Sequence, residues 1–315
     1  MKTRALGTSG LEVTEIGLGT NAVGGHNLYE GIRDDDGTAL VRRAFDLGVN
    51  FFDTADVYGL GHSEELLGQA LGRRKNDVLI ATKGANLFGP DGKTGLSNDP
   101  AYLRQALEAS LLRLRRDYVD VYYIHRPDGK TPVQDAFGAL LRFVEEGKVR
   151  AAALSNFDLA GVREALKAGP VAALQNEYHL FNRDVERDLL TFCAANGVAF
   201  IPYGPLAFGI LGGRYDREFK LNPRDWRARL PQFAGDNFPR VLAVVDELRA
   251  IARKRGAPLS NLALRWLLDQ PGVASVIAGA KTPAQVEENV RADDLELSPE
   301  EIRRIDDLTR PKALA

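Results

Sequence analysis

Eight short apolar runs, each followed by a longer segment of helical period, set the limits on what this chain can fold into. The runs are Ile16–Leu18, Val49–Phe52, Val78–Ala81, Val119–Ile124, Val149–Leu154, Ala172–Leu174, Val198–Ile201 and Ala274–Ile277. Between them, apolar residues return every three or four positions. Leu103, Ala106, Leu107, Leu111 and Leu114 share one helical face, and Val133, Phe137, Leu140, Leu141 and Val144 share another. Strand–helix alternation builds a parallel sheet, because parallel neighbours need a crossover between them. Eight repeats predict a closed (β/α)8 TIM barrel rather than an open doubly wound sheet. The 315 residues suit one such barrel, and no linker rich in Pro, Gly or Ser divides them. The expectation is a single domain over residues 1–315.

Punctuation residues refine this outline. Met1–Val13 reads as a short hairpin turning at Ser9-Gly10. Asp99-Pro100 and Thr131-Pro132 read as N-cap and first-turn pairs, and Gly147, Gly169 and Gly197 as left-handed helix ends. One irregular stretch, Gly204–Asn237, is far longer than an ordinary connection and reads as a lid or binding loop. Two further helices follow it, Pro239–Arg255 and Pro258–Gln270, and a last one spans Pro299–Leu308.

Composition excludes several classes. The formal net charge of -2, with arginines scattered among acids, argues against a nucleic-acid partner. No run reaches the roughly 18 apolar residues of a membrane span, and Met1–Gly10 lacks the apolar stretch of a signal peptide. The lone Cys193 rules out an internal disulfide framework and reads as a buried core thiol. A reducing, cytoplasmic setting is expected. His26, His62 and His179 read as isolated, with no paired-histidine metal motif, so no metal site is expected. Neither a G-x-S-x-G elbow nor a P-loop is present. Gly17-Leu18-Gly19-Thr20-Asn21-Ala22 formally fits a dinucleotide fingerprint, but Val23–Gly31 lacks helical periodicity, so a first barrel loop is the better reading, with Asn21 facing the substrate side.

Polar residues collect where the apolar runs end. The second run ends at Asp53 with Tyr58 soon after, the third at Thr82-Lys83, and the fourth at His125. Ser155-Asn156, Gln175-Asn176, Tyr203, and Gly279 with Lys281 follow the next four. In a barrel these positions share the C-terminal rim, where active sites lie. The chemistry among them suits reduction of a carbonyl. Tyr58 can donate a proton, the ammonium of Lys83 can lower its pKa, Asp53 can hold Lys83, and His125 can orient the substrate oxygen.

The segment Asn50–Leu71, NFFDTADVYGLGHSEELLGQAL, resembles the signature of the aldo-keto reductases. Ala81-Thr82-Lys83, the stretch Tyr123-Ile124-His125-Arg126-Pro127, Leu154-Ser155-Asn156-Phe157 and Gln175-Asn176-Glu177-Tyr178 follow in family order. So do Tyr203-Gly204-Pro205-Leu206-Ala207 and the block from Gly279 to Asn289. The resemblance covers nearly the whole chain. It implies that Asp53, Tyr58, Lys83 and His125 are the catalytic tetrad, with Tyr58 as general acid. It implies that Ser155, Asn156 and Gln175 bind the nicotinamide carboxamide and that Tyr203 stacks on its ring. Pro205, Leu206 and Gly209 would cover the pyrophosphate, and Gly279, Lys281, Gln285, Glu288 and Asn289 would hold the adenosine end. A cation at Lys281 favours NADP(H), with NAD(H) as the alternative.

The expected activity is hydride transfer between NADP(H) and an aldehyde, ketone or alcohol of small size. Two alternatives remain at this point: a cofactor-sensing auxiliary protein on the same fold, and a sugar or aldose dehydrogenase running oxidatively with NAD. No extended interaction tail is seen at Met1 or beyond Pro311, which favours the enzyme. Substrate choice is expected to rest on Asn21–Asp36, Asn86–Asn98 and Gly204–Asn237, with Phe88, Phe208 and Trp226 as pocket candidates.

Overall fold

Eight parallel strands stand side by side in the order in which they occur along the chain. In the computed structural model, which describes residues 1–88, 94–222, 225–235 and 237–310, an antiparallel hairpin of β1 (Thr3–Ala5) and β2 (Glu12–Thr14) comes first. The barrel begins with β3 (Ile16–Gly19), β4 (Phe51–Asp53) and β5 (Leu79–Gly84). A side hairpin, β6 (Asn86–Phe88) with β7 (Thr94–Leu96), interrupts it. It continues through β8 (Val119–Ile124), β9 (Val149–Ser155), β10 (Ala173–Glu177), β11 (Ala199–Tyr203) and β12 (Val276–Gly279). β12 pairs with β3, and a parallel bridge between Phe200 and Val273 joins the β11 side to the β12 side, so the sheet curls into a barrel.

The helices α1 (Asp34–Asp46), α2 (His62–Leu71), α3 (Pro100–Leu114), α4 (Val133–Glu145), α5 (Leu159–Ala168) and α6 (Leu189–Ala195) surround the strands. After β11 come α7 (Asn237–Lys254) and α8 (Leu259–Leu268), and after β12 come α9 (Pro283–Val290) and α10 (Pro299–Thr309). The helices expected after the seventh strand and at the C-terminal side are thus present. Asp99 caps α3 by accepting from the Ala101 and Tyr102 amides, and Ser298 with Glu301 forms a capping box on α10.

Residues along each strand alternate between two cores, as the strand period of two requires. One set points into the barrel: Phe51, Ala81, Val121, Tyr123, Ala151, Ala153, Ala173, Ala199, Ile201 and Ile277, with Leu6, Leu11 and Val13 of the hairpin region joining them. The other set, including Phe52, Ile80, Tyr122, Ile124, Ala152, Leu154, Leu174 and Phe200, packs against the helices. The inner set is rich in alanine because a barrel of eight strands has room inside only for side chains. Its next position along each strand lands on the rim and is polar: Asp53, Lys83, His125, Ser155, Gln175 and Tyr203.

Several local expectations are corrected. Thr131 does not cap α4. Its hydroxyl donates to Asp128 Oδ2 at 2.8 Å, and Pro132 takes the cap position. Gly169 is extended (φ 162) rather than left-handed, and a side chain there would run into Leu141, whereas Gly147 and Gly197 are left-handed as expected. Within the segment Asn86–Asn98, assigned to the substrate side, β6 and β7 pair antiparallel. Its residues 89–93, residues 223, 224 and 236 of the Gly204–Asn237 segment, and the C-terminus from Pro311 lie outside the described residues.

Candidate active site

Tyr58 owes its place to an unusual turn. Directly after β4 the chain makes a short left-handed passage through Gly59 (φ 60), Leu60 (φ 56) and Gly61 (φ 98). A Cβ on Gly59 would sit 2.0 Å from the Gly24 carbonyl oxygen, so only glycine fits where the first loop crosses this turn. Asn27 from that loop brackets Tyr58: its Oδ1 accepts from the Gly59 amide at 2.8 Å, and its Nδ2 donates to the Val57 carbonyl at 3.0 Å.

The four rim residues expected to act together are adjacent. Lys83, 1% exposed, donates through Nζ to Asp53 Oδ1 and to the Thr54 carbonyl, the latter at 2.8 Å. Gln175 Nε2 donates to the other Asp53 oxygen at 2.8 Å. The Tyr58 and His125 rings meet edge to face, with centroids 6.3 Å apart. Lys83 Nζ lies 5.3 Å from the centre of the Tyr58 ring. Burial, the largest influence on each partner, pushes the Asp53 carboxyl up and the Lys83 ammonium down, while each partner's charge opposes that shift. The expected lowering of the Tyr58 phenol by Lys83 does not occur. Burial pushes the phenol well above its ordinary range and the Asp53 charge adds to this, with Arg126 opposing.

His125 is held in one form. Burial, followed by the charges of Lys83 and Arg126, holds its imidazole far below the ordinary range, so the ring is neutral. Asn86 Nδ2 lies 3.0 Å from His125 Nδ1 and 2.7 Å from Asp56 Oδ1. The Asn86 NH2 donates to Asp56 Oδ1, and its second hydrogen goes to Nδ1. The ring proton therefore sits on Nε2.

A cavity of about 580 Å³ opens in front of these groups. Asp53, Tyr58 and His125 line it, and Lys83 stands behind them. All twelve residues expected at the cofactor also line it: Ser155, Asn156, Gln175, Tyr203, Pro205, Leu206, Gly209, Gly279, Lys281, Gln285, Glu288 and Asn289.

The sequence matches the Aldo/keto reductase family over residues 15–310. The chain belongs to this family. The reductase is 37% identical to the aldo-keto reductase str7 of Strobilurus tenacellus, over 97% of this chain and 91% of that protein. It is 34% identical to the Schizosaccharomyces pombe aldo-keto reductase yakc, named with NADP(+), over 96% of this chain and 90% of that protein. The structure of a glycerol dehydrogenase from Gluconobacter oxydans matches with a TM-score of 0.90 at 34% identity, covering 97% of this chain and 94% of that one. The reductase is accordingly a nicotinamide-dependent oxidoreductase.

The donor set of the cavity fits such a cofactor at both ends. Near the tetrad, the buried Ser155 and Gln175 offer hydroxyl and amide groups beside the Tyr203 ring. The Asn156 amide is already engaged, since Nδ2 donates to the His125 carbonyl and to Ser155 Oγ at 3.0 Å each, and Oδ1 accepts from the Tyr203 hydroxyl at 2.8 Å. It therefore ties the Tyr203 wall to the His125 strand. At the far end Arg214, Arg227 and Lys281 give the wall a positive character suited to phosphates. The Lys281 amide donates to Gln285 Oε1 at 2.6 Å, and Ser260 Oγ donates to Glu288 Oε1 at 2.5 Å. Burial and the neighbouring Arg227 lower the Lys281 ammonium, which stands over the Tyr29 ring at 4.7 Å.

Sequence reasoning missed Asn86 as the partner of His125 and Asp56 as the partner of Asn86, and Tyr29, Arg126 and Arg227 as cavity residues. The clue available was position: Asn86 comes three residues after Lys83, at the mouth of a segment already assigned to the substrate side. Asn21 lines the cavity as expected and donates to the Tyr29 hydroxyl at 3.2 Å. Phe208 and Trp226 line it with perpendicular rings 5.2 Å apart, whereas Phe88 is exposed and lies outside it. The histidines read as isolated are not. His179 Nε2 lies 3.1 Å from Glu177 Oε1, and His26 and His62 both contact Asp34. The Glu177 partner is local, two residues away, whereas Asp34 reaches His26 and His62 only through folding of separate elements.

Proposed function

We propose that this chain reduces an aldehyde or ketone with NADPH, with Tyr58 donating the proton to the substrate oxygen. The observation that carries the reading is the pairing of Tyr58 and His125 at the cavity wall, backed by the buried Lys83–Asp53 ion pair. When bound, the reduced nicotinamide supplies the hydride. A carbonyl oxygen set before both rings meets two donors, the Tyr58 hydroxyl and the Nε2 proton of His125. His125 stays neutral and polarises the carbonyl without giving up its proton. Tyr58 holds its own proton firmly until negative charge grows on that oxygen, and an alkoxide is basic enough to take it. The phenolate left behind is favoured by the charge of Arg126. A phenol raised in this way favours reduction at neutral pH over alcohol oxidation, which needs the phenolate as base.

Ser155, Gln175 and Tyr203 would hold the nicotinamide end, and Asn156 would keep that wall in register. Pro205, Leu206 and Gly209 would cover the pyrophosphate. Lys281, with Arg227 nearby, would pair with the 2′-phosphate, and Gln285, Glu288 and Asn289 would border the adenosine. The substrate side is framed by Leu28, Tyr29, Val57, Phe208 and Trp226, which suits a small carbonyl compound with an apolar body.

The test is a fluorescence titration with NADPH and with NADH, followed by nicotinamide absorbance with a panel of aldehydes, ketones and polyols. Tighter binding and oxidation of NADPH by a carbonyl compound is the expected result. Binding without turnover of any carbonyl or alcohol would favour a cofactor-sensing role. Failure to bind either dinucleotide would overturn the reading.

A further inference from the structure

Three side chains from three elements converge on the outer side of the first loop, away from the tetrad. His26 lies in the loop after β3, Asp34 opens α1, and His62 opens α2. His26 Nε2 is 2.8 Å from Asp34 Oδ1, and His62 Nε2 is 2.9 Å from Asp34 Oδ2. One nitrogen or oxygen from each of the three lies within 4.8 Å of the others. The two imidazole rings are tilted against each other with centroids 5.7 Å apart. A fourth group joins them: Glu65 Oε2 lies 3.1 Å from His62 Nδ1.

The hydrogen-bond arithmetic at His62 is specific. A neutral imidazole carries one proton, and here carboxylates face both nitrogens. If Glu65 takes the proton on Nδ1, the lone pair on Nε2 points at an oxygen of Asp34, acceptor against acceptor. Positive charge must lie between them, either a second proton on the ring or a cation shared by the two. Glu65 stands where an outer carboxylate orients a metal-binding histidine, and two imidazoles with one carboxylate are a set that zinc favours. In a tetrahedral site with bonds of about 2.0–2.2 Å, neighbouring ligand atoms stand about 3.3 Å apart. The contacts at 2.8 and 2.9 Å need to open only slightly, and side-chain rotation closes the widest separation.

We propose that His26, Asp34 and His62 bind one divalent transition-metal ion, with zinc the best match, and that water completes its coordination. The ion fastens the first loop to the starts of α1 and α2. That loop carries Leu28 and Tyr29 on the cavity wall, and Asn27, which brackets Tyr58. Tyr29 also lies under Lys281. Occupancy of the site therefore stabilises the walls that dinucleotide and substrate share, and the linkage runs both ways. The three side chains are partly exposed, so the ion enters from solvent without passing the catalytic groups.

The experiment is calorimetric titration of chelator-treated full-length protein with zinc chloride, alongside His26→Gln, His62→Gln and the double variant. Glutamine still gives Asp34 a hydrogen-bond donor but is a poor zinc ligand. Expected are one zinc per chain and an affinity at least about a hundredfold weaker in the double variant, with metal-free NADPH binding unchanged. Cobalt(II) added to the wild type gives a second readout that does not depend on the variants folding: a visible spectrum of tetrahedral type supports the site. Absence of stoichiometric zinc uptake, zinc uptake indifferent to both histidines, or a purely octahedral cobalt spectrum would overturn it.

Discussion

The side-chain amide of Asn86 donates to Nδ1 of His125 across 3.0 Å and so selects the tautomer that presents a proton at Nε2. The amide is itself turned by Asp56, and its backbone carbonyl accepts from the Tyr102 hydroxyl, so the donor arrives with its orientation set. Removing it in Asn86→Ala frees the ring to place its proton on Nδ1, where it cannot reach the substrate. Losing one such bond is worth about 1–3 kcal/mol, so kcat for carbonyl reduction should fall about tenfold to a hundredfold. Cofactor affinity should stay within about twofold of wild type on the same reasoning. Nitrogen-15 NMR of the histidine ring decides the cause. A drop in kcat with the Nε2–H tautomer still in place would make Asn86 merely structural.

Tyr58→Phe keeps the ring and its edge-to-face contact with His125 but removes the proton. A general acid contributes about 10²–10⁴-fold to a rate, so kcat should drop within that range. NADPH binding, read by fluorescence, should hardly change, because the hydroxyl serves the reaction rather than the dinucleotide. Near-full activity in this variant would remove Tyr58 from the mechanism.

The barrel and its rim were legible because they follow from periodicity. Inward residues alternate along each strand, so the residue after the last apolar inward position must face the mouth, as Asp53, Lys83, His125, Ser155, Gln175 and Tyr203 do. What could not be read depends on contacts between distant elements. Asn86 matters only because β5 and β8 are neighbours, which brings it beside His125. His26 and His62 meet because the first loop folds back over the turn after β4. The raised phenol of Tyr58 was missed because residue order does not show how deeply the fold buries its hydroxyl, nor that the Asp53 charge faces it. Gly169 misled because a glycine after a helix usually marks a left-handed end, whereas here it makes room for Leu141.

Lys281 offers the clearest test of cofactor choice. Its ammonium lies over the Tyr29 ring and near Arg227, at the positive end of the cavity. NADP differs from NAD there by a phosphate, and a charge-assisted bond to it is worth about 1.5–3 kcal/mol. Lys281→Ala should therefore weaken NADPH about tenfold to a hundredfold while NADH changes less than about threefold. Equal losses for the two dinucleotides would show that Lys281 serves the wall through Tyr29 and does not read the phosphate.

Asp56 should leave a signature in stability rather than in rate alone. Its carboxyl, ordinarily near 3.8, is pushed up to about 7, chiefly by burial, with Asn86 pulling the other way. Between those two values the folded protein keeps a proton that the unfolded chain has shed. Stability from this group is therefore highest at acid pH, falls as pH rises through the window, and levels off above about 7. Asp56→Asn cannot titrate, and the other carboxylates largely cancel when the two proteins are compared. The wild type should lose stability relative to the variant between about pH 4 and about pH 7, by up to about 4 kcal/mol. Urea unfolding of both proteins at about pH 5 and about pH 8 measures the difference. A gap that stays constant between those two conditions would mean that Asp56 ionises as an ordinary carboxylate.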